Sequence, residues 1–229
     1  MLALLRHGEY AQPPGVPSAH LPYALTAQGR LQATAAATAI ADFAQTHGLT
    51  LESVIDCSPL RRAWETAHLL GLGLEASTGR TFTCCEFPEL AERSLGALAN
   101  LSVDAILAIV SGDPRFAPPP PNWKRNSDYR LPLLGCESLN EAGARVARHL
   151  RACAQDLESP TRLKLLVGHG GAFRHAAAEL GVLSRAQVSD LSMDYCVPIY
   201  LDCPGASGQP DRFVHVAGQW LERASSQPD

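Results

Sequence analysis

Residues 1–10 read MLALLRHGEY. The first five are apolar without interruption, and the run passes with no turn signal into Arg6, His7 and Gly8. An apolar run of this length fits a strand covered on both faces, as in a parallel sheet. Such a strand either reaches solvent or delivers its next residues to a site. What it delivers here is a guanidinium and an imidazole, groups that carry charge and protons.

Short apolar runs of the same kind recur along the 229-residue chain. Strands are expected at residues 1–5, 53–57, 81–85, 163–167, 197–201 and 212–216. Helical stretches alternate with them: 26–46, opened by Thr26 and stopped at Gly48, then 60–70, then 101–110. A fourth, 138–157, begins with the Ser138/Glu141 capping box, and a fifth, 171–180, closes at Gly181. The alternation predicts an α/β fold, a three-layer sandwich with a mostly parallel central sheet and helices on both faces. One domain is expected over residues 1–223, with a long insertion at about 112–135 (GDPRFAPPPPNWKRNSDYRLPLLG) and a flexible tail at 224–229.

Composition narrows the function classes. A formal net charge of −4 gives no general attraction to nucleic acid or an anionic membrane. No run approaches the ~20 apolar residues that span a bilayer, and the first run lacks the length and flanks of a signal peptide. The seven cysteines are odd in number and form no C-x-x-C pair, which suits reduced thiols in a cytoplasmic protein. Only Lys124 and Lys164 are lysines among 19 basic residues. With so much alanine, coding bias accounts for the arginine excess.

In open α/β sheets ligands sit beyond the carboxyl ends of the strands. After the first strand come Arg6, His7 and Gly8. After the second, Cys57-Ser58-Pro59-Leu60 leads into Arg61 and Arg62. After the fourth, Gly168-His169-Gly170-Gly171 opens a helix. Two imidazoles and two or more guanidinium groups therefore converge on one sheet edge beside helix N-termini. That set suits a phosphoryl dianion, because arginine matches phosphate oxygens in a planar fork and helix starts supply unpaired N–H groups. A neutral imidazole can attack phosphorus, and guanidinium charge nearby keeps it unprotonated.

Four blocks, in order, carry a resemblance. They are LLRHGE at 4–9 with YALTAQGRLQA at 23–33, CSPLRRAWETA at 57–67, LAERSLGAL at 90–98, and VGHGGAFRH at 167–175 preceded by GCESLNEAGARV at 135–146. Together they resemble the motifs of the histidine phosphatase superfamily, the phosphoglycerate-mutase-like enzymes. The resemblance implies that His7 is the nucleophile that becomes phosphorylated. It further implies that Arg6, Arg62 (rather than Arg61) and His169 bind the phosphoryl oxygens, and that Glu92 donates the proton. Glu89 competes for that role, but the spacing to Gly96 favours Glu92. Gly8, Gly170, Arg93, Lys124 and Arg125 are the expected substrate contacts. Arg174 and His175 are read as structural, and the histidines at 20, 47, 68, 149 and 215 match no motif. There is no H-E-x-x-H, clustered His/Asp set or Walker loop, so no metal and no cofactor are expected.

The family holds both hydrolases and mutases. Glu92-Arg93 and Lys124-Arg125 resemble mutase substrate contacts. Against this, mutases continue the first block as R-H-G-E-S-x-W-N, whereas here Glu9 is followed by YAQPP, and residues 99–104 (ANLSVD) lack the lysine mutases carry there. A mutase must retain its bisphosphorylated intermediate, and a hydrolase must admit water. The sequence therefore favours a metal-independent phosphomonoester hydrolase acting on a small phosphorylated metabolite. A 2,3-bisphosphoglycerate-dependent mutase is the alternative within the family, and an inactive phosphate-binding module the alternative outside catalysis. The oligomeric state is open.

Overall fold

β1 (Leu2–Arg6) lies between β5 (Arg162–Gly168), which is parallel to it, and β7 (Ile199–Asp202), which is antiparallel. The computed structural model describes residues 1–204 and 212–223, so the expected tail at 224–229 lies outside the described residues. All six expected strands form, and so do the five helices. The sheet runs β4 (Thr83–Glu86), β3 (Val54–Cys57), β5, β1, β7, β8 (Val214–Ala217), and the short β2 (Thr50–Leu51) pairs with β5. β4, β3, β5 and β1 are parallel; β7 and β8 make an antiparallel edge.

The side-chain alternation of β1 explains why its sequence reads as one unbroken apolar run. Ala3 and Leu5 point into a core with α1 (Ala27–Thr46) and α2 (Arg61–Thr78), beside Ala33, Ile40 and Leu70. Leu2 and Leu4 point into the opposite core with α4 (Leu139–Asp156) and α5 (Gly170–Glu179), beside Val146, Leu150 and Phe173. A strand covered on both faces cannot alternate apolar with polar.

Helix ends follow local chemistry. The Thr26 side chain accepts from the Gly29 N–H to open α1, and Ser138 and Glu141 bond reciprocally to open α4. α2 continues past residue 70, its expected end, to a left-handed Gly79. The elements that escape the sequence reading are short: β2, α6 (Arg185–Asp190) and the two-stranded sheet of β6 (Leu191–Ser192) with β9 (Leu221–Glu222) among them. After α3 (Val103–Gly112), residues 113–135 carry no regular helix or strand. They are tied down by their own core, where Trp123 and Leu131 pack with Leu95, Leu98, Ile106 and Val110.

A buried polar group sits between the sheet and α4. Asp56 of β3 lies 2.5 Å from Lys164 Nζ, accepts from His149 Nε2 at 2.9 Å and from the Cys153 thiol at 3.4 Å. Burial pushes the Asp56 carboxyl up, but bonds from His149 and Lys164 outweigh it and hold the group below its usual range. Asp56, His149 and Cys153 have the atoms of a metal-ligand set. The Lys164 ammonium already compensates the carboxylate, and the group reads as a buried ion pair.

Candidate active site

Strand register brings the predicted residues together. Arg6 pairs with Gly168 and Cys57 with Val167, so β1, β3 and β5 end level with one another. The chain continues in step beyond them: the His7 N–H donates to the Gly168 carbonyl and the Ser58 N–H to the Val167 carbonyl. His7, Ser58 and His169 therefore leave the sheet side by side. α5 begins at His169 with no side chain capping it, and its Gly170 and Gly171 face a cavity of about 380 Å³.

His7 is 3% exposed. Its Nδ1 bonds to the Gly8 carbonyl at 2.8 Å, which makes Nδ1 the protonated nitrogen, and Nε2 accepts from Arg62 Nε at 3.1 Å. Burial, then the charges of Arg62 and Arg6, hold the imidazole well below its usual titration range. Nε2 is thus a lone pair kept unprotonated at neutral pH. His169 has the other tautomer: Nε2 donates to Ser58 Oγ at 2.8 Å, and Nδ1 faces Arg62 Nη2 at 3.3 Å. Burial and Arg62 also hold it far below its usual value.

Arg62 is fully buried, while Arg61, the alternative in the sequence, is exposed. Its guanidinium works along two edges. Nη1 donates to the Leu21 carbonyl at 3.0 Å, and Nη2 to those of Ala19 at 2.8 Å and Ser18 at 3.3 Å. The Nε and Nη2 edge then faces His7 and His169, where phosphoryl oxygens can replace the ring nitrogens as acceptors. Arg6 lines the cavity from β1 and donates from Nη1 to the Met193 carbonyl at 2.9 Å.

Glu92 lines the same cavity as His7, with Oε1 accepting from the Arg93 N–H at 2.8 Å. A Cβ on Gly171 would come within 3.0 Å of Glu92 Oε1, so a larger residue there would crowd the carboxylate. Arg93, Lys124 and Gly170 also line the cavity. Arg125 does not; it lines a neighbouring shallow cavity with Gln187 and Asp190. Gly8 is packing rather than cavity wall: a Cβ there would sit 2.5 Å from the Gly29 carbonyl oxygen, and its N–H goes to Thr66 Oγ1. Both irregular segments contribute, residues 10–22 through Gln12, Pro17, Ser18 and Ala19, and the insertion through Lys124.

Several supporting residues were not singled out by sequence reasoning. Ser58 fixes the His169 tautomer, and Thr66, one turn along α2 from Arg62, links that helix to the turn after His7. Arg145 donates to the carbonyls of Glu89 and Ala91 and pairs with Glu137, whose Oε2 accepts from the Ser94 N–H. This clamp holds the Glu92 loop, and its signal was present in the GCESLNEAGARV block. Arg174 bonds to the Gly170, Val188 and Leu191 carbonyls and lines the cavity wall. His175 bridges the Gly171 carbonyl and Ser127 Oγ, fastening the insertion to α5.

Burial lowers the titration of three histidines here, His7, His169 and His175. The unfolded chain protonates them near pH 6.5, while the folded chain resists until the pH is lower. Their contribution is complete above about pH 6.5 and falls as the pH drops below it, by up to about 1.4 kcal/mol per pH unit for each histidine. Urea midpoints are expected to decline steeply between pH 7 and pH 5. Equal midpoints would show that these imidazoles take up protons without cost to the fold.

Comparison with known proteins agrees with this geometry. The profile of the histidine phosphatase superfamily (branch 1) matches residues 2–213. A 2,3-bisphosphoglycerate-dependent phosphoglycerate mutase 2 from Gloeobacter violaceus is 32% identical over 143 residues, 62% of this chain; the match spans 60% of that relative. A mycobacterial glucosyl-3-phosphoglycerate phosphatase superposes with a TM-score of 0.69 at 25% identity, covering 93% of this chain and 95% of the other. An alpha-ribazole phosphatase from Shigella flexneri shares the fold, with a TM-score of 0.67 at 22% identity over 90% and 91% of the two chains.

Proposed function

We propose that this chain, which belongs to the histidine phosphatase superfamily (branch 1), hydrolyses a phosphomonoester of a small metabolite through a phosphohistidine on His7. The observation that carries the reading is the state of His7. Its Nδ1 proton is fixed on the Gly8 carbonyl, its Nε2 lone pair is aimed at the Arg62 edge, and Glu92 lines the same cavity.

The substrate phosphoryl group lies against Arg6, the inner edge of Arg62, His169 and the first N–H groups of α5. His7 Nε2 attacks phosphorus in line as the P–O ester bond breaks, and the basic groups stabilise charge on the equatorial oxygens. Glu92 gives its proton to the departing oxygen. In the second half, Glu92 takes a proton from water as that water displaces His7 from phosphorus, releasing inorganic phosphate and restoring both residues. No step calls on a metal ion or organic cofactor.

A mutase reading is favoured by one observation, the position of Arg93 and Lys124 on the cavity that holds His7 and Glu92. Both would grip a second anionic group and hold a bisphosphorylated intermediate in place. The two readings separate by product. Incubation with 3-phosphoglycerate and traces of 2,3-bisphosphoglycerate is expected to release free phosphate with little 2-phosphoglycerate, and a phosphomonoester panel is expected to be hydrolysed undiminished in EDTA. Rapid isomerisation with little phosphate release would establish the mutase. No turnover on any phosphomonoester would establish a phosphate-binding module, and loss in EDTA restored by added metal would overturn the metal-free chemistry.

A further inference from the structure

Two tyrosines stand against the nucleophile without a part in the chemistry above. Tyr10 meets the His7 ring edge-on, with centroids 5.3 Å apart, and Tyr195 meets it at a tilt at 5.8 Å. Each also carries an arginine on its face: Arg62 Cζ lies 4.7 Å from the Tyr10 centroid, and Arg6 Cζ lies 4.0 Å from that of Tyr195. We propose that Tyr10 and Tyr195 are positioning residues of the phosphoryl site, each walling one side of His7 and holding one phosphate-facing arginine on its ring.

The chemistry explains why rings stand there. A carboxylate would orient an arginine equally well, but it would occupy the N–H donors and repel an incoming phosphate. An aromatic face attracts the guanidinium across its flat side and leaves the N–H edge open. Among the described residues, neither Arg6 nor Arg62 forms an ion pair with a carboxylate. Neutral backbone carbonyls take part of each guanidinium's N–H set, and the aromatic face adds a further support without a countercharge.

Both rings are themselves anchored. Tyr10 bridges to Leu25 and packs against Leu21 and Leu25. Tyr195 bridges to Arg6, and the next N–H, of Cys196, donates to the Arg6 carbonyl at 2.9 Å. Ring and guanidinium are thus tied to the same short stretch of backbone. Tyr10 begins the YAQPP departure from the usual first block, so this chain supplies a ring where the mutase pattern continues with serine.

The inference rests on the phosphoryl-transfer reading, and its test does not depend on turnover. Affinity for inorganic phosphate is measured by calorimetry, and the His7 titration by NMR, in wild type and in Tyr10→Leu, Tyr10→Phe, Tyr195→Leu and Tyr195→Phe. The charged and titratable groups facing His7 or sharing its cavity are Arg6 from β1, Arg62 from α2, His169 ahead of α5, Glu92 on the cavity wall, and the two tyrosines. The leucine variants are expected to bind phosphate five- to thirtyfold more weakly and to move the His7 midpoint up toward 6.5. The phenylalanine variants, which keep the ring, stay within about threefold of wild type. Folded leucine variants with wild-type phosphate affinity and an unmoved His7 midpoint would overturn the proposal. So would phenylalanine variants as weak as leucine, which would assign the effect to the hydroxyl. Should Tyr10→Leu fail to fold, the half-buried Tyr195 pair decides. A wild type that binds phosphate but hydrolyses no phosphomonoester refutes the proposed function and leaves this test standing.

Discussion

His7→Ala is expected to abolish turnover and the acid-labile phosphoenzyme together, with kcat falling at least about 10⁴-fold. The neighbouring imidazole, His169, lies 5.1 Å from His7 between ring centroids and has both nitrogens engaged. His169 Nε2 carries its proton to Ser58 Oγ, and its Nδ1 is turned toward Arg62. The substitution removes a side chain at the end of a strand whose core contacts come from Leu2, Ala3, Leu4 and Leu5, so the fold survives it. The measurement is quench-flow trapping of labelled phosphate on protein, followed by acid lability. A label that persists in the variant would move the nucleophile to another residue, with His169 the first to check.

Arg62→Lys is expected to damage activity and stability in one step. The guanidinium satisfies three backbone carbonyls in residues 18–21 while presenting its other edge to His7 and His169. A lysine has three donors on one nitrogen and cannot serve both edges. Unfilled buried carbonyls cost about 1–3 kcal/mol each, so denaturation should report a loss of about 2–4 kcal/mol after relaxation. Loss of one preorganised phosphate ligand lowers kcat/KM by a further factor of about 10²–10³. A lysine variant of normal stability would show that residues 18–21 hold their place without Arg62. One of normal activity would remove Arg62 from the phosphoryl site.

The sheet, and the placing of His7 at its edge, were legible because their signals are local. An apolar run ending in Arg-His-Gly announces a two-faced strand and what it presents, and Ser138-x-x-Glu141 announces a helix start. The second ring of residues was hidden because it is assembled by tertiary packing. Tyr195 reaches His7 only through its bridge to Arg6, and nothing in the sequence near residue 195 signals that partner. β6 and β9 are two residues each, too short to show a period. α6 is a different kind of miss, since its Ser184-x-x-Gln187 capping box was readable. Arg125 shows the limit of motif proximity: beside Lys124 in sequence, it faces a different cavity.

The position of β1 in the sheet also bears on how the protein is made. Leu2 pairs with Lys164 on one side and Leu201 on the other, so this strand leaves the ribosome long before either neighbour. At ordinary synthesis rates the wait for β5 is roughly 8–30 s. Throughout it the segment LALL is an unpaired, wholly apolar strand, the kind of surface that recruits chaperones or seeds aggregation. Pairings this distant in sequence also slow refolding of the finished chain. His7 therefore waits for surroundings that are made much later, and a nascent chain ending before β5 would carry it without its parallel neighbour strand and without His169.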